Sequence, residues 1–340
     1  GRTCFCYMQK ILITGGAGYI GSHAARLFLE RGLSVVLLDN FSRGYHEAAE
    51  TLAQFGDLAI EEADLLDRER IEEVFAKHDI GTVLHFAALC LVNESVEEPE
   101  RYMNNNVEGT RNLLETMVKS GVRDIIFSST CAVYGDVARL PVDETHPTMP
   151  MNPYGDSKLA AEELIRSYGQ EHGIRSVVFR YFNVCGASAD GLIGDSKKPS
   201  QLLMQNAVRG AMGIEPFAYT CGQVDTPDGT PIRDYIDVED LVAAHFLGYE
   251  YLMQGGASEL FNLGNGRGYS VKEIVSAVEQ IFGQVMEKSA APPRKGEYPN
   301  IYADAAKARA VLGFAPKKSL SESIESLRKW YAGHPGGYSR

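Results

Sequence analysis

The sequence predicts a doubly wound α/β domain followed by a smaller α+β domain. Three observations carry this: short apolar runs alternate with segments of helical periodicity, a glycine-rich turn closes the first run, and the alternation stops near Asn183. Lys10-Ile11-Leu12-Ile13-Thr14 reads as the first strand. Beyond the glycines, Ile20, Ala24, Leu27 and Phe28 recur at helical spacing, so Tyr19 to Arg31 is expected as a helix. Val35 to Leu38 follows as strand, Arg70 to Lys77 as helix, Thr82 to Phe86 as strand and Asn106 to Lys119 as helix. Ile125 to Ser129, Tyr154 to Tyr168 and Ser176 to Arg180 continue the rhythm as strand, helix and strand. Such alternation implies right-handed crossovers and a mostly parallel sheet covered on both faces.

Residues 8–183 are accordingly assigned to the first domain and 184–340 to the second, with segments such as 234–254 expected to pack back on the first. Past Asn183 come loop residues (Gly186, Gly191, Gly194, Pro199), then mixed elements. One helix start, Ser270-Val271-Lys272-Glu273, has capping-box form. The charge balance, 33 Lys plus Arg against 45 Asp plus Glu for a net −12, disfavours nucleic acid as a partner. An anionic small ligand therefore needs a local cationic site. Six scattered cysteines (Cys4, Cys6, Cys90, Cys131, Cys185, Cys221) suggest neither a zinc site nor a disulfide framework. No run has the length of a membrane span, and Gly1 to Met8 lack a secretion-signal pattern, so a reduced, cytoplasmic protein without a metal is expected.

Thr14-Gly15-Gly16-Ala17-Gly18-Tyr19-Ile20-Gly21 places glycines 15, 18 and 21 between first strand and first helix. Small residues there let the backbone approach a pyrophosphate at the helix N-terminus. Asp39 closes the second strand, where a carboxylate hydrogen-bonds the adenosine ribose and repels a 2′-phosphate, which favours NAD over NADP. This is a Rossmann-type arrangement. Tyr154 and Lys158 stand four apart on one helical face, and Ser128-Ser129-Thr130 closes the fifth strand at the sheet edge where ligands of such folds bind. A tyrosine acting as base near neutrality needs its pKa lowered by about three units, which a lysine cation and a positively charged nicotinamide can supply together. Thr130 can then hydrogen-bond both a substrate hydroxyl and the tyrosine.

These blocks, with His85-Phe86-Ala87-Ala88, Asn105-Asn106-Val107, Tyr134-Gly135, Asn152-Pro153-Tyr154-Gly155, Arg180-Tyr181-Phe182-Asn183, Asp228-Gly229-Thr230, Arg233-Asp234-Tyr235-Ile236 and Pro335-Gly336-Gly337-Tyr338, run in order from Lys10 to Tyr338. The sequence resembles the extended short-chain dehydrogenase/reductases, and within them the UDP-glucose (UDP-galactose) 4-epimerase family. The resemblance implies a tightly held NAD contacted by Gly15, Gly18, Tyr19, Ile20, Gly21, Asp39, Asn40, Asp64, Leu65, Phe86, Ala87, Ala88, Asn106, Tyr154, Lys158 and Phe182. It implies Thr130, Tyr154 and Lys158 as catalytic residues. For the UDP-sugar it implies Thr130, Tyr154, Asn183, Gln201, Leu202, Tyr219, Cys221, Arg233, Arg294, Glu297 and Ile301. The implied reaction is reversible C4 epimerisation through a 4-keto sugar with transient hydride transfer to NAD, in a homodimer formed by the helices of 106–119 and 154–168.

Several positions depart from the family pattern. Cys90 stands where many members carry Lys, Asn93 where Gly is usual, Gln201 where Asn or His is usual, and Cys221 where an aromatic lies near uracil. Ile301 is intermediate in bulk at a position linked to acceptance of N-acetylated sugars. UDP-N-acetylhexosamine and UDP-pentose 4-epimerases share every catalytic residue named and are the alternatives. A nucleotide-sugar 4,6-dehydratase is disfavoured because Cys131-Ala132, not an acid-base pair, follows Thr130. A dehydrogenase that releases NADH and a non-catalytic NAD sensor are further alternatives, and a sensor should lack one of Thr130, Tyr154 or Lys158. His23 and His85 are expected as packed histidines, Cys131 as unreactive, Glu61-Glu62 and Glu97-Glu98 as solvated charges, and Trp330 and Tyr331 as helix core.

Overall fold

The structure is a computed structural model that describes residues 9–198, 200–220, 224–291 and 299–339. Its first half runs β1 (Lys10–Thr14), α1 (Tyr19–Glu30), β2 (Val35–Asp39), α2 (His46–Leu52), β3 (Leu58–Glu62), α3 (Arg68–Lys77) and β4 (Ile80–His85). It continues with α4 (Val92–Glu97), α5 (Pro99–Met103), α6 (Gly109–Ser120), β5 (Asp124–Thr130), α7 (Pro153–His172) and β6 (Arg175–Tyr181). Then come β7 (Asn183–Cys185), α8 (Leu203–Ala211), β8 (Phe217–Thr220), β9 (Ile232–Asp237), α9 (Val238–Met253) and β10 (Glu259–Leu263). The chain ends with β11 (Gly268–Ser270), α10 (Val271–Phe282), β12 (Lys288–Ala291), β13 (Asn300–Ile301), α11 (Ala306–Leu312) and α12 (Leu320–Gly333).

Seven parallel strands form the main sheet in the order β10-β6-β5-β4-β1-β2-β3. The doubly wound α/β class holds. β2 and β5 are buried along their length, and β1 beyond Lys10, because helices cover both faces, which is why Ile11 to Ile13, Val35 to Leu38 and Ile125 to Phe127 are continuous apolar runs rather than alternating residues. On one face α1 packs against α9, with Phe28 edge-on to Phe246 at 5.2 Å. On the other, α3, α6 and α7 bury Ile71, Val74, Leu113, Leu114, Met117, Ala161 and Ile165.

The second lobe has a small sheet, β11-β9-β13 with β7 also on β9, and a β8-β12 pair. Its core joins α8, α10 and α12 around the fully buried Trp330 and includes Tyr45 and Ala48 from the first lobe. The capping box at Ser270 forms: its hydroxyl accepts from Glu273 N at 3.1 Å while Ser270 N donates to the Glu273 carboxylate at 2.7 Å. The helix expected from Asn106 instead begins with a π-helical turn, Asn104–Glu108, followed by α6. β3 has no counterpart among the sequence-predicted strands, because its charged end, Glu61-Glu62, hides the apolar run. Among the described residues no helix is long and apolar enough to cross a membrane, and Cys90, Cys131 and Cys185 are free thiols.

The expectation for Glu61 is corrected. Its side chain is buried and receives Arg70 at 2.7 Å, Lys77 at 2.6 Å and His78 at 2.7 Å. Despite burial, those donors hold its carboxyl down at about 2. The three partners lie 9 to 17 residues away, on and after α3, so nothing local to Glu61 announces them. Trp330 and Tyr331 are helix core, as expected.

His85 is a packed histidine that ties three elements. Its Nδ1 pairs with Thr14 Oγ1 of β1 at 2.7 Å and its Nε2 with Thr110 Oγ1 of α6 at 2.8 Å. Burial, with the Lys158 cation nearby, holds it down at about 3. From the unfolded value near 6.5 down to about 3, the unfolded chain binds one more proton at this position, so the contribution to stability falls as pH falls. Replacement His85→Gln is expected to reduce the slope of stability against pH by about 1.4 kcal/mol per unit between pH 6 and 4. Urea unfolding at several pH values checks this, and an unchanged slope contradicts it.

Candidate active site

The sheet order reverses at β1, whose neighbours are β2 and β4, so the loops leaving β1 and β4 diverge and open a crevice at the C-terminal strand ends. A deep cleft occupies this crevice. Gly15, Gly18, Tyr19, Ile20 and Gly21 line its floor at the N-terminus of α1. Gly15 has φ of +66°, and a Cβ there would meet Ala87 N at 2.7 Å. A Cβ on Gly21 would sit well inside contact distance of the Gly15 carbonyl, so α1 can start this close to the loop only as glycine.

Asp39, Asn40, Asp64 and Leu65 line one end of the cleft. Asp39 Oδ2 accepts from Ala17 N at 3.0 Å and Oδ1 from Phe41 N at 2.9 Å, so the carboxylate shapes the glycine loop as well as facing the cleft. Burial raises its pKa against these hydrogen bonds. Asn40 Nδ2 donates to Asp64 Oδ2 at 2.8 Å. Two carboxylates at this end suit ribose hydroxyls and oppose an added phosphate.

Phe86, Ala87 and Ala88 line the middle, and Tyr154, Lys158, Tyr181 and Cys90 the other end. Tyr154 sits in the first turn of α7, whose start is capped by Asn152 Oδ1 accepting from Gly155 N at 2.8 Å. Thr130 closes β5, where its Oγ1 accepts from Ala132 N at 3.1 Å, and it is not among the residues that line the cleft. Lys158, one turn along from Tyr154, is buried with its ammonium 4.5 Å from the Phe127 ring centre. Burial pushes the Tyr154 phenol well above 10 and pulls the Lys158 ammonium down to about 8. Each group resists its own charge, so the phenolate and ammonium forms support each other best when formed together.

The remaining expected cofactor residues lie behind the wall. Asn106 is buried, its amide holding Leu89 through both N and O at 2.8 and 2.9 Å and donating to Ser157 Oγ at 2.9 Å. Phe182 packs in an apolar cluster with Cys131, Val133, Tyr134 and the fully buried Ile301. Cys131 is buried, which pushes its thiol up to about 12, as expected of an unreactive cysteine.

The expected substrate residues gather on the second lobe. Asn183 pairs with Tyr235 on β9, and Arg233 lies between Tyr269 and Ile301 on the same sheet, its Nη1 donating to Ile232 O at 2.8 Å. Gln201 and Leu202 immediately precede α8. Tyr219 stacks on Phe217, ring centres 6.0 Å apart. Cys221, Arg294 and Glu297 lie outside the described residues. The sequence reading missed Arg43, Tyr45, Tyr181, Gly194 to Lys197 and Tyr338, all of which line the cleft. They arrive from distant loops, and neither periodicity nor local spacing marks them.

Residues 11–264 match the model of the NAD dependent epimerase/dehydratase family. The UDP-glucose 4-epimerase of Halalkalibacterium halodurans is 42% identical, the alignment covering 97% of this chain and 98% of that protein. That of Rhizobium leguminosarum is also 42% identical, covering 95% and 98%. Among solved structures, the Bifidobacterium longum UDP-glucose 4-epimerase in complex with NAD+ and UDP superposes with a TM-score of 0.92 at 35% identity, covering 97% of this chain and all of that one. The Brucella ovis enzyme in complex with NAD gives 0.89 at 39%, covering 98% and 100%.

The glycine contacts generate a test. Gly21→Ala is expected to displace the glycine loop, cost about 1–3 kcal/mol of stability and abolish nucleotide retention. Denaturation midpoint and bound-nucleotide content are the readouts; full retention with unchanged stability contradicts the close packing.

Proposed function

The chain belongs to the NAD dependent epimerase/dehydratase family, and from that premise we propose that its cleft performs reversible C4 epimerisation of a UDP-sugar, with UDP-galactose and UDP-glucose as the pair. It is an NAD-dependent isomerase of the UDP-glucose 4-epimerase type. The observation that carries the reading is Tyr154 at one end of the cleft floored by the glycine turn, with Lys158 one helical turn away on the same wall.

The residues present fit NAD. Gly15 and Gly21, where a Cβ would clash, the N-terminus of α1, whose Gly18 N-cap carries no side-chain cap, and the Asp39 and Asp64 carboxylates suit the pyrophosphate and ribose of a dinucleotide. When bound there, NAD would supply the hydride acceptor for C4 of the sugar and the hydride donor for the return step. Tyr154 takes the proton of the sugar 4-hydroxyl, directly or across Thr130, and gives it back in the second half-reaction. Lys158 supports the phenolate, and Asn106 acts at one remove by fixing the Leu89 loop. Phe182 backs the same end of the cleft.

Arg233 and Arg294, with Glu297 nearby, hold the UDP diphosphate in this proposal, and Asn183, Gln201, Leu202, Tyr219, Cys221 and Ile301 complete the substrate side. Guanidinium groups suit the task because they remain charged and fork onto phosphate oxygens. Firm grip on the nucleotide and loose grip on the hexose let the 4-keto sugar turn over between half-reactions. The buried, unreactive Cys131 after Thr130 offers no acid-base group for dehydration. We place the protein in the cytoplasm, where thiols such as Cys90 stay reduced, and propose a homodimer through the helices of 106–119 and 154–168.

Purified protein given UDP-galactose without added NAD is expected to form UDP-glucose, followed by its anomeric proton signals in NMR. Tyr154→Phe is expected to slow this by about 10²–10⁴-fold while leaving NAD content unchanged. A variant that keeps most of its rate removes Tyr154 as the base.

A further inference from the structure

Three cationic side chains line the cleft, Arg43, Lys158 and Lys197, and they are placed differently. Arg43 is engaged by the Glu94 carboxylate, its Nη2 within 2.5 and 2.6 Å of both oxygens. Lys158 is buried against Phe127 beside Tyr154. Lys197 comes from the second lobe, on the loop between β7 and α8, and lines the cleft together with Cys90 of the first. Among the described residues no carboxylate forms an ion pair with it.

The loop that carries Lys197 is anchored. Tyr45, in the first lobe, donates its hydroxyl to Ser196 O at 2.6 Å, and Lys197 N donates to Asp195 Oδ1 at 3.1 Å. Asp195 also lines the cleft and is 2% exposed, yet its Oδ2 has no hydrogen-bond partner among the described residues. A buried carboxylate oxygen without a donor is costly in the protein alone, and the Lys197 ammonium stands near the Asp195 charge without an ion-pair contact. Side by side on the same wall, they mark a place built to be completed by a ligand bearing anionic oxygens and hydroxyl groups.

We propose that Lys197 is a ligand-binding residue whose ammonium, on the cleft wall opposite the first lobe's Cys90 loop, meets the phosphate oxygens of a bound diphosphate ester. The proposal rests on the reading above that NAD and a UDP-sugar meet in this cleft, and each of them carries such a diphosphate. A cation delivered from the second lobe couples ligand binding to the seating of the 194–197 loop.

The test compares wild type, Lys197→Met and Lys197→Arg. NAD content of the purified protein and its loss on dilution report on one diphosphate; UDP affinity by calorimetry at low and high salt reports on the other. Lys197→Met is expected to weaken one of them on the order of 10-fold or more, and to flatten its salt dependence, with Lys197→Arg restoring most of the loss. Weakened NAD retention assigns Lys197 to the dinucleotide; weakened UDP binding with NAD retained assigns it to the nucleotide sugar. Both affinities unchanged in Lys197→Met overturn the proposal. A wild-type protein that binds neither NAD nor UDP removes the underlying reading of the cleft, and the proposal with it.

Discussion

The rest of the site depends on one backbone contact, the approach of the loop after β1 to the loop after β4 at Gly15 and Ala87. A Cβ at Gly15 would come within 2.8 Å of both N and Cα of Ala87. The sheet order creates the crevice, but only glycine lets its two lips stand this close. The contact is then locked from below. Thr14, His85 and Thr110 form a buried chain linking β1, β4 and α6, and Thr14 Oγ1 also accepts from Ala87 N at 3.2 Å. Asp39 closes the glycine loop from β2 through Ala17. The cleft floor is therefore rigid before any ligand arrives, which spares binding much of the ordering cost.

The second lobe is not an appendage to that floor. β10 completes the main sheet beside β6, α9 covers α1, and Tyr45 and Ala48 of the first lobe lie in the same core as Trp330. Tyr19 adds a further tie, its hydroxyl donating to Gly186 O, and Gln205 Nε2 donates to the same hydroxyl at 3.3 Å. Tyr19 is thus both cleft wall and fastener, in the turn where α1 begins. A chain that interleaves its lobes in this way keeps the two sides of the cleft at a set distance.

Legibility in the sequence tracked the range of the interaction. Gly15, Gly21, Asp39, Tyr154 and Lys158 could be picked out because their chemistry depends on spacing within one turn or one β-α-β unit, and the structure brings them to one cleft. Glu61 was misjudged because its burial depends on three cations supplied by and after α3. Asp195, Lys197 and Tyr45 were missed because they reach the cleft from loops remote in sequence; Tyr45 and its partner Ser196 are 151 residues apart. Asn106 was marked as a cofactor contact, but it faces Leu89 and Ser157, one layer back. Pattern finds such a residue without saying which layer it occupies.

Charge poses the remaining problem, since a chain of net −12 must hold dianionic ligands. At physiological salt the screening length is about 8 Å, so most surface carboxylates are not felt inside the cleft. What acts there is local: the N-terminus of α1 and the Arg43, Lys158 and Lys197 side chains, against the Asp39, Asp64 and Asp195 carboxylates. Arg43 is engaged by Glu94 and Asp39 by the glycine loop, which leaves the helix N-terminus and the two lysines to meet phosphate oxygens. The acidic surface elsewhere discourages polyanions without weakening the site.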